Sequence, residues 1–468
     1  MLMLKILIKK ELLENMLSFR FLITLLLCVV LIPLGIFVSS KQYENSRNDY
    51  QQSLTLYQQS MQGMKNAVNV EAKGMRPPSP FSIFAGGLDK SLPNEIVSSR
   101  TKGLLLNNNR TMDSPLSTLF GRMDFLFSIS VVMSLLAIMF TFDAVTREKE
   151  EGTLRLALSN EIPRHNIIIA KYIGNFITFL IPFIAAMLIS IIILSLSGVI
   201  PVFQSGNMVR LLFIMGVSLL FISAFFNLGL MVSSLTQRSL TSQITLLFLW
   251  VLLVFAIPRA SGMIAGIIRP VKTLQTINLE KSLIRKNIND EKANALKAVF
   301  LAQMSGKSNE SAPSYDEVRA PIVDRLREKE QKLLDAVDTE YKNRKNAQLK
   351  IASVLARISP LASLTFAVTE LANTGLLQMD NLFTSSQEFH NAAVREVHSR
   401  GYQDNIPGVG MHMSMGWISA NDIPQYHFQP TSLSRDLQAS WLDILLLVMF
   451  NVLFFTAAYV GFLRYDVR

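Results

Sequence analysis

The chain has 468 residues, half of them hydrophobic and 17% charged, with a formal net charge of +10 and a mean hydropathy of +0.32. That balance excludes an extended disordered chain and argues against a water-soluble helical domain, whose apolar runs would be shorter and interrupted. The positive charge does not indicate nucleic-acid binding: much of it lies in short connections between apolar stretches, and no aromatic-basic platform accompanies it.

Six apolar stretches have the roughly 20 residues a helix needs to cross a bilayer, and the sequence predicts an all-α integral membrane protein. Residues 1–20 form the first element. Leu4, Ile6, Leu7, Leu12, Leu13 and Met16 interleave there with Lys5, Lys9, Lys10, Glu11 and Glu14, the pattern of a helix lying on a membrane surface with its lysines against anionic lipid. The first span, 21–39, is longer than a signal-peptide core and lacks a small-residue cleavage site, so it reads as a retained anchor. It contains Cys28, the single cysteine, so no intrachain disulfide holds any domain.

An insertion over 40–124 follows. Leu54, Tyr57, Met61 and Met64 recur there at helical spacing before the run Arg76-Pro77-Pro78-Ser79-Pro80-Phe81-Ser82-Ile83-Phe84-Ala85-Gly86-Gly87 ends the helix. Residues 125–268 hold the second to fifth spans, with a charged connection over 143–171. A second insertion, 269–440, is long enough for a helical domain. Ile322, Leu326, Leu333, Val337 and Tyr341 mark one face within it, and the pattern turns irregular from Gly401 to Pro430. The sixth span and C-terminus occupy 441–468.

Basic residues in short loops are retained in the cytoplasm. Lys5, Lys9, Lys10, Arg20, Arg147, Lys149, Arg155, Arg164, Lys171, Arg238, Arg464 and Arg468 fall on one side of six alternating spans, and the short connection opposite holds Arg210. Both termini are therefore predicted to be cytosolic, and both insertions extracytoplasmic.

The chain's partial matches to chemical motifs are mostly decoys. Ser305-Gly306-Lys307-Ser308 resembles part of a phosphate-binding loop, but Leu301 stands where the motif needs its first glycine. No HExxH or GxSxG element is present. Met411-His412-Met413-Ser414-Met415 offers Met411, His412, Met413 and Met415 as soft ligands suited to Cu(I), although methionine near a membrane more commonly packs against apolar neighbours. Asn175, Asn227, Gln243, Asp443, Asn451 and Arg259 lie in or at the ends of spans. Such amides usually bond between neighbouring helices, and Arg259 lies near enough to a membrane boundary to snorkel.

The connection after the second span carries the strongest signal. Asp143, Glu148, Glu150 and Glu151 alternate with Arg147, Lys149 and Arg155, while Gly152 offers a turn and Leu154, Leu156 and Leu158 an apolar anchor. This mixed-sign surface suits transient docking to another protein; an ordinary solvated connector would share its charge content.

Phe142-Asp143, the run from Arg147 to Arg155, Ser159-Asn160, Arg164 and Lys171 resemble the second cytosolic segment of ATP-binding-cassette (ABC) transporter permeases of the type-2 exporter class. Pro78 to Phe84 with Gly87, Ser359-Pro360-Leu361-Ala362-Ser363 and Phe462 to Val467 look like the branch with large extracytoplasmic insertions. The resemblance implies a permease that binds no nucleotide itself, pairs with a second copy or a similar permease, and works with cytosolic ATPase subunits that bind ATP and Mg. On this chain it makes Asp143, Arg147, Glu148, Glu151, Gly152, Thr153, Arg155, Arg164 and Lys171 the coupling candidates, in a bacterial inner (cytoplasmic) membrane. Export, or transmembrane mechanical signalling to a periplasmic or cell-surface protein, would be the outcome. A membrane receptor or scaffold without an ATPase, or a copper-handling membrane protein, are the alternatives.

Overall fold

Apolar helices with few internal charges build the molecule. The computed structural model describes residues 2–66, 70–99, 103–108, 124–154, 156, 163–201, 203–304, 315–401, 417–419 and 422–464. Six of its helical stretches are long and apolar enough to cross a membrane: Phe19–Ser60, Phe125–Glu150, Arg164–Ser197, Gly206–Leu235, Ser239–Ile268 and Leu433–Leu463. Each contains or overlaps one of the six stretches read from sequence. The Ser305–Ser308 and Met411–Met415 segments lie outside the described residues.

The contacts divide the chain into two units, residues 1–255 with 359–468, and residues 256–358. In the first unit α1 (Leu2–Met16) is joined through Ser18 to α2 (Phe19–Ser60). The second span carries a π-helical turn, Ser128–Met133, then α3 (Ser134–Thr141) and, after a short break, α4 (Thr146–Glu150). Next come α5 (Arg164–Ser197), α6 (Ser205–Leu235) and α7 (Ser239–Val251). The last span is α13 (Leu433–Leu463).

One apolar core runs through the bundle, built from Ile32 and Ile36 of α2, Phe140 of α3, Phe179 and Phe183 of α5, Phe221, Phe225 and Phe226 of α6, and Leu447 and Phe454 of α13. Two amides inside it, Asn227 and Asn451, bond from helix to helix. Asn227 Nδ2 donates to Asn451 Oδ1 at 2.9 Å, and Ser223 Oγ donates to the same oxygen at 2.6 Å. The amides thus join α6 to α13.

α2 has 42 residues, about 63 Å at 1.5 Å per residue. A bilayer core takes up about 30 Å, so roughly half of α2 continues beyond it. Its far end meets a small domain with a second apolar core of Met61, Val70, Ala72, Leu92, Ile96, Leu382, Phe389, Ala393 and Ile423. There β2 (Glu71–Met75), β3 (Glu95–Ser99) and β4 (Gly103–Asn107) form an antiparallel sheet in the order β2-β3-β4. Helix was the expectation for the start of this insertion, and it holds to Ser60; the sheet that follows was not expected. The strands show why: β2 reads Glu-Ala-Lys-Gly-Met, without the β-branched and aromatic residues that advertise a strand. A separate pair, β1 (Met64–Asn66) with β5 (Trp417–Ser419), is also antiparallel.

After residue 358 the chain rejoins the first unit through α11 (Pro360–Leu371) and α12 (Leu376–Gly401). The 269–440 insertion is therefore shared between the units rather than forming one body.

The second unit contains α8 (Ile257–Ile268), α9 (Leu274–Met304) and α10 (Tyr315–Ala356). Helices α9 and α10 form an antiparallel hairpin, pinned by Lys281–Asp338 at 2.5 Å and Lys329–Glu291 at 2.7 Å. Ile277, Ile288 and Leu326 are buried between them. Leu333, expected on the packed face, is 42% exposed. The half-buried neighbour Leu334 takes that place, because the face advances by four residues from Glu330 and then by three to Val337.

Candidate functional site

Opposite charges close together at one end of the bundle gather five elements around α4. Lys171, on the second turn of α5, is 3% exposed. Its Nζ lies 3.0 Å from Glu11 of α1 and 2.7 Å from Glu148 of α4. Asn15 Nδ2 donates to Asn175 Oδ1 at 2.5 Å. Gly174 makes this close approach possible, since a Cβ there would stand 2.6 Å from Glu11 Cβ. Arg20, in the first turn of α2, binds both carboxylate oxygens of Asp143 at 2.8 Å and lies 4.8 Å from the Phe142 ring centre. This planar two-point pairing suits guanidinium geometry.

The same segment also closes the ends of α6 and α7. Lys149 Nζ donates to the carbonyls of Ser234 at 2.6 Å and Thr236 at 2.9 Å, satisfying groups left unpaired at a helix C-terminus. Glu150 accepts from the Ser239 amide at 3.0 Å and hydroxyl at 2.6 Å. Ser233 Oγ accepts from the Val145 and Thr146 amides. Arg164 Nη1 donates to the Leu463 carbonyl at 2.8 Å, tying α5 to the end of α13. Beneath this polar layer Leu154 is fully buried with Val145, Ile167, Ile168, Leu230, Ala458 and Phe462.

What faces outward is smaller. Arg147 and Glu151 pair with each other at 2.9 Å, with side chains 67% and 52% exposed. Thr153 and Leu156 are exposed as well. Gly152 has φ +71 in open space, a backbone that favours glycine and lets the chain turn directly after α4.

At the opposite end of the bundle Arg210 of α6 is 7% exposed. Its guanidinium lies 2.7 Å from Asp436 of α13, donates to the Leu371 carbonyl at 2.5 Å, and sits 5.5 Å from the Phe81 ring centre. Nearby, Ser79 Oγ donates to the Ala372 carbonyl and Thr374 Oγ1 donates to the Ala85 carbonyl. The proline-rich run and the Ser359–Leu371 helix therefore meet here, though about 290 residues separate them. Glu370 accepts from the Leu376 and Leu377 amides. Burial, reinforced by the charges of Asp436 and Asp443, pushes its carboxyl up to about 7.

The family model described as ABC-2 family transporter protein matches residues 5–467. The chain belongs to the ABC-2 transporter family. The family is the transmembrane permease component of ABC transporters and not itself the catalytic subunit. Over 111 residues the chain is 28% identical to YbhS of Escherichia coli strain K12, described as a probable multidrug ABC transporter permease, and equally to the protein of that name from E. coli O157:H7. The match covers 24% of this chain and 27% of each relative, so the chain spans about a quarter of the length of the curated relatives it matches.

In this ABC-2 permease the nine coupling candidates fall into distinct settings. Asp143, Glu148 and Lys171 lie in buried or half-buried ion pairs that hold α1, α2, α4 and α5 together. Arg164 reaches α13. Arg147, Glu151 and Thr153 are exposed, and Gly152 sits beside them. Arg155 lies outside the described residues. Sequence reasoning passed over Glu11, Arg20 and Arg210 as partners. A signal did exist for Arg210, the charge standing alone in the short connection between the third and fourth spans.

Proposed function

We propose that this ABC-2 permease is the membrane subunit of an ATP-driven transporter, docking a cytosolic ATPase on the exposed edge of α4. In this reading the α1 end of the bundle is cytosolic, the membrane is a bacterial inner membrane, and a second permease copy or similar subunit completes the complex. ATP and Mg belong to the ATPase. The observation carrying the proposal is the two-sided α4: Arg147 and Glu151 face outward, while Glu148, Lys149 and Glu150 bond to α5, α6 and α7, and Lys171 of α5 carries the link on to Glu11 of α1. A partner that grips the outer side in one nucleotide state moves the inner side with it, where three helices are bonded directly and α1 through Lys171. Such differential contact is what coupling requires.

Charge reversal tests this with an internal control. Glu151→Lys combined with Arg147→Glu restores an ion pair of reversed polarity, whereas Glu151→Lys alone puts two cations together. An exposed pair is worth about 0–1 kcal/mol, so both variants should fold. Both should lose co-purifying ATPase and permease-stimulated ATP hydrolysis. Lys171→Met instead strands Glu11 and Glu148, at about 3–5 kcal/mol, and should lower thermal stability in detergent before any docking is measured. Undiminished ATPase retention in the two surface variants would sink the proposal.

Export of a solute and mechanical relay to an extracytoplasmic partner are both compatible with such coupling. The uninterrupted length of α2, from Arg20 beside Asp143 to Tyr57 beside β2, favours relay.

A further inference from the structure

The fifth span holds a break that its apolar sequence hides. Helix α7 passes into a π-helical turn, Leu252–Ala256, before α8 resumes at Ile257. Pro258 supplies the reason. It has no amide to bond back to Val254, and its ring crowds that carbonyl. In the wider π register, which bonds five residues apart, the missing amide is the one that would meet the carbonyl of Leu253. That carbonyl instead accepts from Ser359 Oγ, 106 residues further along the chain. Prolines and π turns are where helices bend, and here a side chain replaces the absent helical bond.

Ser359 also stands where the chain crosses between units. The second unit leaves the first between Phe255 and Ala256 and returns between Ile358 and Ser359, so its two connections run through this turn and this serine. The base of the turn is fixed. Val254 is buried in the bundle core, Trp250 Nε1 donates to Ser134 Oγ at 2.8 Å, and the Trp250 and Phe255 rings lie 5.3 Å apart. Ser359 is held on the same side: its Oγ accepts from the Leu361 amide at 3.1 Å, capping α11, whose Leu364 and Leu371 belong to that core. The second unit is braced internally as well. Gln348 Nε2 of α10 donates at 3.0 Å to the Arg269 carbonyl at the end of α8, and the ion pairs described above tie α9 to α10.

We propose that Leu252–Pro258 is a hinge on which the 256–358 unit turns, and that the Ser359 hydroxyl is its latch. Opening breaks one side-chain hydrogen bond and no helical one, because Pro258 has already removed the helical donor. The α9/α10 hairpin then swings as a body while the bundle core keeps its packing. The inference does not depend on the ATPase docking at α4.

Pulsed electron-spin distance measurements on the full chain in lipid nanodiscs test this. The background is Cys28→Ala, and the labels sit at Val209→Cys on α6 and Thr339→Cys on α10, both exposed positions. Labelled chain is diluted with unlabelled chain, so that only distances within one chain are read, and size-exclusion profiles check folding. The background should give one narrow distribution. Ser359→Ala should raise the population at other distances by about two- to tenfold, the equivalent of one hydrogen bond. Pro258→Ala restores an amide able to reach the Leu253 carbonyl, so the double variant Pro258→Ala/Ser359→Ala should return to the narrow distribution. Pro258→Ala alone should be narrower than the background, a readout that does not need Ser359→Ala to fold. Ser363→Ala, which removes a buried hydroxyl of α11 that makes no hydrogen bond, should change nothing. A pair inside the unit, Asp290→Cys with Thr339→Cys, should keep its distance throughout. Equal distributions in the background and Ser359→Ala overturn the proposal. Broadening that Pro258→Ala fails to reverse overturns it too, by reducing Ser359 to a cap of α11, and so does broadening of the Asp290/Thr339 pair, which would mean that the unit itself loosens.

Discussion

Glu370 shows how one buried carboxyl makes a junction sensitive to pH. It joins the end of α11 to the start of α12 by accepting two backbone amides, and Gly375 is needed beside it because a Cβ there would come within 2.6 Å of both carboxylate oxygens. Burial raises the folded-state value from 4.5 to about 7, so the folded chain holds this proton more tightly than the unfolded chain does. Its contribution is fully present below about pH 4.5 and is lost as pH rises through 7. At 1.36 kcal/mol per pH unit the change is about 3 kcal/mol. Thermal unfolding in detergent should therefore show wild type losing stability from pH 5 to 7.5 relative to Glu370→Gln. Parallel curves for the two proteins would refute this assignment. Nothing in the local sequence Val-Thr-Glu-Leu marks this glutamate, since its burial is created by α13 and by the returning chain at Gly375.

Among the elements, α2 links one end of the bundle to the sheet domain. Its polar second half, from Lys41 onward, has few apolar residues to pack, and the helix as a whole is held near its ends: by Arg20 in the first turn, and by Tyr57 with Met61 at the other. Tyr57 hydroxyl accepts from the Lys73 amide at 3.0 Å, so the sheet moves with the helix. Gln51→Pro should break the helix between these points at about 3 kcal/mol. The expected outcome under the relay reading is an assembled complex with normal ATPase association but no response of the extracytoplasmic partner. Retained response in that variant would argue that α2 is a support and not a lever. The pattern of α2 was legible in sequence as span followed by helical run. Its continuity was not, because a change from apolar to polar composition looks the same whether the helix ends or simply leaves the membrane.

For the whole molecule, Arg210 joins pieces that the sequence keeps far apart, touching the Asp436 carboxylate, the Leu371 carbonyl and the Phe81 ring. Arg210→Met would leave Asp436 buried without its cation, at a cost of about 3–5 kcal/mol. Hydrogen exchange should then rise together in Phe81 to Leu88, in Leu371 to Leu377 and at the start of α13, while the α1 end of the bundle stays protected. Exchange rising uniformly through the chain would mean that Arg210 has no local tying role. The sequence by itself determined the six spans and the charged element after the second, because hydrocarbon demands long uninterrupted apolar helices and punishes charge wherever it falls. It also held the motifs that resemble ABC permeases, a resemblance the family match upholds. Tertiary structure alone decided which charges of that element face inward: Glu148 and Arg147 are adjacent in a run of similar residues, and only the approach of Lys171 from α5 gives one of them a buried partner. It also decided that the insertions contain a sheet and a separate hairpin, since strand pairing and the meeting of segments nearly 300 residues apart depend on contacts that local composition does not encode.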